Sequence, residues 1–300
     1  MAKIISEALS WSKRRAKLIL AKRGYRLTRI ESLPPLDMRR ENDPRAYNYH
    51  HGQSVLVEGE VDHGRGLGSF ALSAGGPHPF VRAVRAGLSS KHPLEAIKES
   101  LASYYAMAQP QNAAERLGLS SKDCPQLSSV TPRVLLLPWQ ADSVQQLVAW
   151  TSREHRAIPE YGAPVEAPYS LGNKCFGPSS PELLLHEASR LQRTLASIQE
   201  TGYVRHDGRG GDPDCHALYI NDKWRWVVGR GEHRVPVLAA LGWASIPIRI
   251  GNIVRREEVK AWPNVRSGLF TEEIALKIFD DYFYGYSPLQ REEPTSRPGD

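Results

Sequence analysis

The sequence contains few cysteines, and they follow none of the patterns of a cysteine-rich protein. Its 300 residues include only Cys124, Cys175 and Cys215, which are far apart in the chain. An odd number of cysteines without metal-site spacing argues against a disulfide scaffold and against a zinc ribbon. We therefore expect a cytoplasmic protein whose thiols are reduced.

Long apolar runs are also missing. No stretch approaches the 18 consecutive apolar residues that a membrane-spanning helix requires. The first residues lack a continuous apolar core ahead of a small-residue cleavage site, so we expect no signal peptide. The hydrophobic content of 41% is ordinary for a globular protein. A chain of this length is enough for one large or two medium domains.

Positive charge is concentrated near the N-terminus. The net charge is +6, and residues 1–40 alone contain eleven Lys or Arg residues against three acidic ones. Apolar residues fall on one side of a helical wheel over residues 1–23, which predicts a basic amphipathic helix. Such a helix packs on its own protein, lies on an anionic membrane surface, or binds nucleic acid. We expect a membrane surface before nucleic acid, which keeps peripheral membrane attachment open as an alternative localisation.

Hydrophobic periodicity predicts an α/β protein of the α+β type. The expected helices cover residues 93–107, 113–117, 141–153, 184–198 and about 271–282. The expected strands cover residues 54–61, 133–138, 217–220, 224–228 and 244–250. Prolines and glycines over residues 155–180 predict a linker between two units. The predicted divisions are a basic arm (1–40), a mixed helix and strand region (41–165), a second unit (166–286) and a disordered tail (287–300).

Two patterns in the first half imitate functional motifs. The run Gly64–Ser69 is rich in glycine but lacks the Lys-Ser/Thr ending of a P-loop, so we expect a plain loop. The histidines of this half show no metal-ligand spacing, and we expect them to be exposed or hydrogen-bonded. They are His50, His51, His63 and His78. We predict no metal site built from side chains alone.

The most informative stretch is Lys223–Gly242. Its aromatic and β-branched start predicts a strand, Gly229 and Gly231 allow a sharp turn, and helical spacing of apolar residues follows. A strand that turns through glycines into a helix leaves free backbone N–H groups, which favour an anion and above all a phosphate. Arg234 would add a full positive charge.

The order of elements over about residues 183–250 resembles the nucleotide-binding domain shared by ParB partition proteins and sulfiredoxins. The matching residues are Ser197-Ile198, Gly202, Gly231-Glu232-His233-Arg234, Leu238-Ala239-Ala240-Leu241-Gly242 and Ile246-Pro247-Ile248. The resemblance implies a small mixed sheet with helices that binds a nucleoside triphosphate. It says nothing about the first half of the chain.

The departures from that family narrow the implied function. Sulfiredoxins need a cysteine thiolate where this chain has Glu232, so sulfinic acid reduction is not expected. Partition proteins have an arginine where this chain has His233, and the segment after Ile250 is too short for their DNA-binding domain. The pair His233-Arg234 is similar to the turn of a third branch, the small-molecule kinases.

These comparisons imply a phosphoryl-transfer enzyme, a kinase or an NTPase, that uses ATP or CTP with Mg²⁺ and an unknown acceptor. The implied phosphate-binding residues are Gly229, Gly231, His233 and Arg234. The candidate bases or metal-holding carboxylates are Glu232, Asp207 and Glu187. Two alternatives stay open. One is a nucleotide-sensing module that binds DNA or a membrane without turnover, and the other is an enzyme of phosphorylated sugars or glycan precursors at the inner membrane face.

Overall fold

The computed structural model describes residues 34–49, 53–157, 172–205 and 211–290 of the chain. Over these residues the protein has a mixed α/β fold in which helices surround one seven-stranded mixed sheet. The α/β class predicted from the sequence is confirmed. The N-terminal amphipathic helix, most of the linker, Asp207 and most of the predicted tail lie outside the described residues.

The described elements alternate between short strands and helices of varied length. The strands are β1 Leu36–Asp37, β2 Val55–Glu60, β3 Gly64–Gly66, β4 Phe70–Ala71, β5 Asp214–Ile220, β6 Lys223–Val228 and β7 Ser245–Arg255. The helices are α1 Ala46–Tyr49, α2 Pro79–Leu88, α3 Pro93–Met107, α4 Ala113–Arg116, α5 Pro125–Ser128, α6 Val144–Ala157, α7 Pro181–Thr201, α8 Arg234–Ala240, α9 Pro263–Arg266 and α10 Glu272–Tyr284. None of these helices is both long enough and apolar enough to cross a membrane.

The sheet combines strands from both halves of the chain. Its order is β1-β2-β7-β5-β6-β3-β4. Strand β2 pairs antiparallel with β7, and β3 pairs parallel with β6. Strand β5 lies between β7, to which it is parallel, and β6, to which it is antiparallel. The boundary predicted at residue 165 therefore divides strands that belong to one sheet, and the described residues from Pro35 onward form one compact unit.

Alternation along β5 places apolar side chains on both faces of the sheet. Ala217 and Tyr219 pack in a core with α8, whereas Leu218 and Ile220 pack in a core with α10. Successive side chains of a strand point to opposite faces, so a strand covered on both sides is apolar at nearly every position. A third core joins α2, α3 and α7 on the outer side of α8. The result is a helix–sheet–helix sandwich that fixes the two ends of α8.

Trp226 fills the space beneath the connection between β2 and β3. Its indole is fully buried, and its Nε1 donates a hydrogen bond to the carbonyl of Glu60 at 2.9 Å. A Cβ atom on Gly64 would lie 2.5 Å from this ring, so only glycine fits. The expectation of a plain loop over Gly64–Ser69 is wrong for its first half, because Gly64–Gly66 forms strand β3 against Trp226.

The strand predicted over residues 133–138 is also wrong. The segment is buried at Val134, Leu136 and Leu137, as its apolar sequence indicates, but it pairs with no strand. Side chains take the place of a sheet neighbour. Asn264 Nδ2 donates to the carbonyl of Leu137 at 3.0 Å, and the N–H of Leu137 donates to Gln140 Oε1 at 2.7 Å. The apolar sequence therefore predicted the burial of this segment correctly, but its hydrogen-bond partners determine its conformation.

Candidate functional site

A cleft of about 660 Å³ lies at the start of β5, the end of β6 and the turn that leads into α8. Its charged lining contains five cationic residues and three carboxylates. The cationic residues are Lys174, Arg190, Arg230, Arg234 and Arg249, and the carboxylates are Asp212, Asp214 and Glu232. Thr194, Gly211, Gly229, Gly231 and His233 complete the described lining. The excess of positive charge makes this cleft suited to an anion.

The turn between β6 and α8 holds backbone donors at the edge of the cleft. The N–H groups of Gly229 and Arg230 both donate to the carbonyl of Asp214, at 2.8 and 3.0 Å. Gly231 follows with φ of 97°, a left-handed conformation that favours glycine. Within the described part of the chain, the N–H groups of Gly231, Glu232 and His233 donate to no other group. The turn therefore offers three unused donors, and Gly229 serves only to shape it.

The ring of His233 is hydrogen-bonded to a carboxylate of α7. Its Nε2 lies 2.5 Å from Glu187 Oε2, and both residues are buried, at 8% and 1% exposure. Burial by itself raises the pKa of Glu187, but the hydrogen bond and charge of His233 outweigh it, with smaller contributions from Arg190 and His186. The pKa of Glu187 therefore lies below its ordinary value, and the carboxylate is ionised. The sequence predicted a role for both residues but not their contact.

Glu232 forms an ion pair with Lys174, which enters the cleft from the segment before α7. Both side chains are partly exposed. Glu232 is thus placed at the cleft, as the turn predicted, with its negative charge already compensated. Asp207, the other loop carboxylate proposed from the sequence, lies outside the described residues.

Arg234 closes one side of the cleft and has structural contacts of its own. Its Nη1 donates to the carbonyl of Gly211 at 2.7 Å, and its guanidinium lies 5.8 Å from the centroid of the Tyr203 ring. Nearby, the buried carboxylate of Asp212 accepts three hydrogen bonds from Arg205 and one from Tyr203. Arg234 therefore holds the backbone at Gly211 and also faces the cleft.

Arg249 of β7 is a lining residue that the sequence analysis missed. Its Nε and Nη2 atoms are buried and have no hydrogen-bond partner. Its Nη1 lies 3.7 Å from Asp214 Oδ1, beyond hydrogen-bond distance. A signal was present, because Arg249 is the one charged residue in the alternating run Ile246–Ile250. Lys174 and Arg190 were also missed, and their positions before and within α7 carry no local motif.

Metal ligands are not preassembled in the described part of the chain. No group of three or more His, Cys, Asp or Glu side chains there is arranged to hold a metal ion. The described residues could therefore hold Mg²⁺ only as a complex with a nucleotide. In such a complex, phosphate oxygens and water supply most of the ligands, and one or two carboxylates supply the rest. Asp214 and Glu232 are the carboxylates that reach the cleft at partial exposure.

Comparisons of the chain with family models, curated proteins and solved structures found no match. The resemblance to the ParB and sulfiredoxin domain therefore stays a prediction based on the residues of the turn and its flanks.

Proposed function

We propose that the cleft binds a nucleoside triphosphate with Mg²⁺ and that the protein transfers or hydrolyses its terminal phosphoryl group. One observation carries the proposal: hydrogen-bond donors without partners converge on a positively charged cleft. They are the N–H groups of Gly231, Glu232 and His233, and Arg249, whose own Nε and Nη2 atoms are enclosed without a partner, belongs to the same lining.

Unpaired buried donors point to a missing acceptor. A buried polar group without a partner costs about 1–3 kcal/mol, and native structures keep few of them. Because the Nε and Nη2 atoms of Arg249 are enclosed, its guanidinium acts on a ligand of the cleft through its charge, whereas the N–H groups of the turn can donate to phosphate oxygens directly. A phosphate chain is the ligand that uses both.

The size and charge of the cleft favour a large phosphorylated ligand over a single phosphate ion. A volume of about 660 Å³ lies within the range of sites for cofactors and other small molecules. Five cations against three carboxylates leave an excess that suits several negative charges. Phosphoryl transfer requires mainly this kind of positioned positive charge, supplied by side chains, backbone N–H groups and Mg²⁺.

The binding test compares two arginine-to-methionine variants by calorimetry with ATP, CTP, nucleoside diphosphates and sugar nucleotides, each with Mg²⁺. Arg249→Met should weaken binding of the preferred ligand by about tenfold or more, because the lining loses one of its five positive charges. It should not lower the stability of the free protein, because it removes buried donors without partners. Arg266→Met, an exposed arginine of α9 outside the cleft, is the control.

The outcomes separate the alternatives. Binding of sugar nucleotides alone would favour an enzyme of glycan precursors. Tight nucleotide binding without release of inorganic phosphate or transfer to any acceptor would favour a sensor. A wild-type protein that binds no phosphorylated compound at millimolar concentration, or an Arg249→Met variant with unchanged affinity, would contradict the proposed site.

A further inference from the structure

We infer that the His233 ring is the proton acceptor of the cleft and that Glu187 is the residue that positions it. This inference rests on the proposed phosphoryl transfer but assigns the proton to a residue other than the carboxylates of the turn. It is carried by the buried contact between the two side chains and by the position of His233 in the lining of the cleft.

The contact fixes which nitrogen of His233 is available. An ionised carboxylate only accepts hydrogen bonds, so Nε2 of His233 must carry the hydrogen in its 2.5 Å bond to Glu187. The lowered pKa of Glu187 agrees with this assignment. Nδ1 is then the ring atom that holds a lone pair when the imidazole is neutral. Within the described residues Nδ1 makes no hydrogen bond, which leaves it for a ligand.

The packing around the ring restricts its rotation. Phe80 of α2 lies against it with ring centroids 5.2 Å apart, and Glu187 holds the opposite nitrogen. Tying the far nitrogen to a buried carboxylate is the general way in which proteins orient a catalytic imidazole and stabilise its charged form. A structural tie between α7 and the turn would not require an ionisable pair.

Glu232 is less suited to the same task. Its carboxylate is already paired with the ammonium group of Lys174, and this ion pair must open before the carboxylate can accept a proton from an acceptor. Glu232 remains available to Mg²⁺ when phosphate oxygens compete for Lys174. Of the two carboxylates near the turn, Glu232 therefore faces the ligand and Glu187 acts through His233.

The proposed step moves one proton to His233 and one phosphoryl group to the acceptor. The O–H bond of the acceptor, a hydroxyl group or a water molecule, breaks and its proton passes to Nδ1 of His233. The acceptor oxygen forms a bond to the terminal phosphorus of the triphosphate. The bond from that phosphorus to the bridging oxygen breaks, and its electron pair stays on the nucleoside diphosphate. The imidazolium that forms is stabilised by the negative charge of Glu187.

Other charged groups near the pair must be considered in any pH measurement. On α7 these are His186 and Arg190, which both act on Glu187. From the preceding segment Lys174 and Cys175 lie close, and Glu232 and Arg234 flank His233 in the sequence. The Cys175 thiol has a pKa raised by burial, so it stays neutral across the range in which a histidine titrates.

The first experiment measures ATP and CTP hydrolysis with Mg²⁺, using water as the acceptor. His233→Gln should lower kcat by roughly a hundredfold or more, the effect of a lost general base, while Kd for the nucleotide stays within about threefold. Glu187→Gln should lower kcat with little change in Kd, because the imidazolium that forms loses its counter-charge, and Glu187→Asp, which keeps the charge, should restore part of the rate. His63→Gln is the matched control, since His63 pairs with Glu60 outside the cleft at 3.4 Å.

The second experiment does not depend on turnover. Nitrogen NMR of histidine-labelled protein should show that the neutral His233 ring carries its hydrogen on Nε2 and not on Nδ1. The reverse tautomer would overturn the inference even if no nucleotide binds. A His233→Gln protein that hydrolyses nucleotide at the wild-type rate would also overturn it, and so would wild-type protein that binds nucleotide without turnover. Failure of every nucleotide to bind, with the expected tautomer present, would contradict the proposed function and not the Glu187–His233 assignment.

Discussion

Single glycines determine where the first half of the chain meets the sheet. Gly59 and Gly64 both lie against the Trp226 ring, and a Cβ atom on Gly59 would come 3.0 Å from its Nε1 and 2.6 Å from Ile248 Cδ1. Neither glycine has a positive φ, so their role is close approach and not backbone freedom. Such contacts are invisible in a sequence, because they depend on a tryptophan that lies far away in the chain.

At this scale we expect Gly64→Ala to destabilise the protein by about 1–3 kcal/mol, because the added methyl group overpacks a filled core. Urea denaturation of wild type and variant measures the difference. Gly75→Ala is the control, since the nearest atom to its Cβ would be a side-chain nitrogen of Arg85 at 3.9 Å. Equal midpoints for the three proteins would mean that the indole moves aside at no cost.

The residues of the cleft show the same limit of sequence reasoning. The turn residues Gly231 to Arg234 were identified because the glycine pattern is local. The partners Glu187 and Lys174 lie far from the turn in sequence, so no spacing rule connects them to His233 and Glu232. Glu187 was proposed on its chemistry alone, and Lys174 was not proposed at all.

Among the elements, long periodic helices were predicted best. The helix predicted over residues 93–107 has the observed bounds of α3, and α10 extends its prediction by only two residues at the end. Periodicity over several turns with a proline or a capping threonine at the start leaves little ambiguity. The glycine-rich segment at residues 64–66 and the apolar run at residues 133–138 were assigned wrongly, because their conformation depends on partners supplied by the rest of the fold.

Helix α2 is preceded by a buried capping histidine, His78, whose protonation would destabilise the fold. The N–H of Phe80 donates to His78 Nδ1 at 3.2 Å, and His78 is only 1% exposed. Burial lowers the pKa of His78 to about 3, from an ordinary value of 6.5. Below pH 6.5 the unfolded chain binds a proton that the folded protein does not, so stability is complete above that pH and is lost as the pH falls.

We therefore expect the free energy of unfolding to fall between pH 6.5 and 5 by about 1.4 kcal/mol per pH unit from this group. His78→Asn keeps a capping side chain but removes the titration. The measurement is urea denaturation at pH 7.5, 6.5, 5.75 and 5. The free energy of unfolding should fall more steeply with falling pH for wild type than for the variant, by a difference that corresponds to at most one bound proton. Parallel curves would mean that His78 is protonated in the folded state.

For the whole molecule, the sheet makes the two halves interdependent. Ile246, Ile248 and Ile250 of β7 are fully buried in the core that β2 completes. A chain of residues 166–300, the unit predicted from the sequence, would expose one edge of β7 and the Trp226 ring. The α/β class followed from periodicity, but the pairing of distant strands did not.

We expect the 166–300 fragment to lack cooperative thermal unfolding by circular dichroism, whereas a 35–300 chain should unfold with a single transition. The fragment keeps the three paired strands β7-β5-β6, but it loses β2, β3 and the helices α2 and α3, so the cores around Trp226 and α8 are no longer covered. A fragment that unfolds cooperatively and binds nucleotide would establish residues 166–300 as a separate domain.

The strand order also shapes how the protein emerges from the ribosome. When strand β2 leaves the ribosome, the neighbour in the described sheet that has already been made is the two-residue strand β1. Its main partner β7 follows much later in the chain, after β5 and β6, which with β7 separate β2 from β3 in the finished sheet. Until β7 has been made, the apolar strand β2 lacks its main partner, a state in which newly made proteins aggregate or bind chaperones.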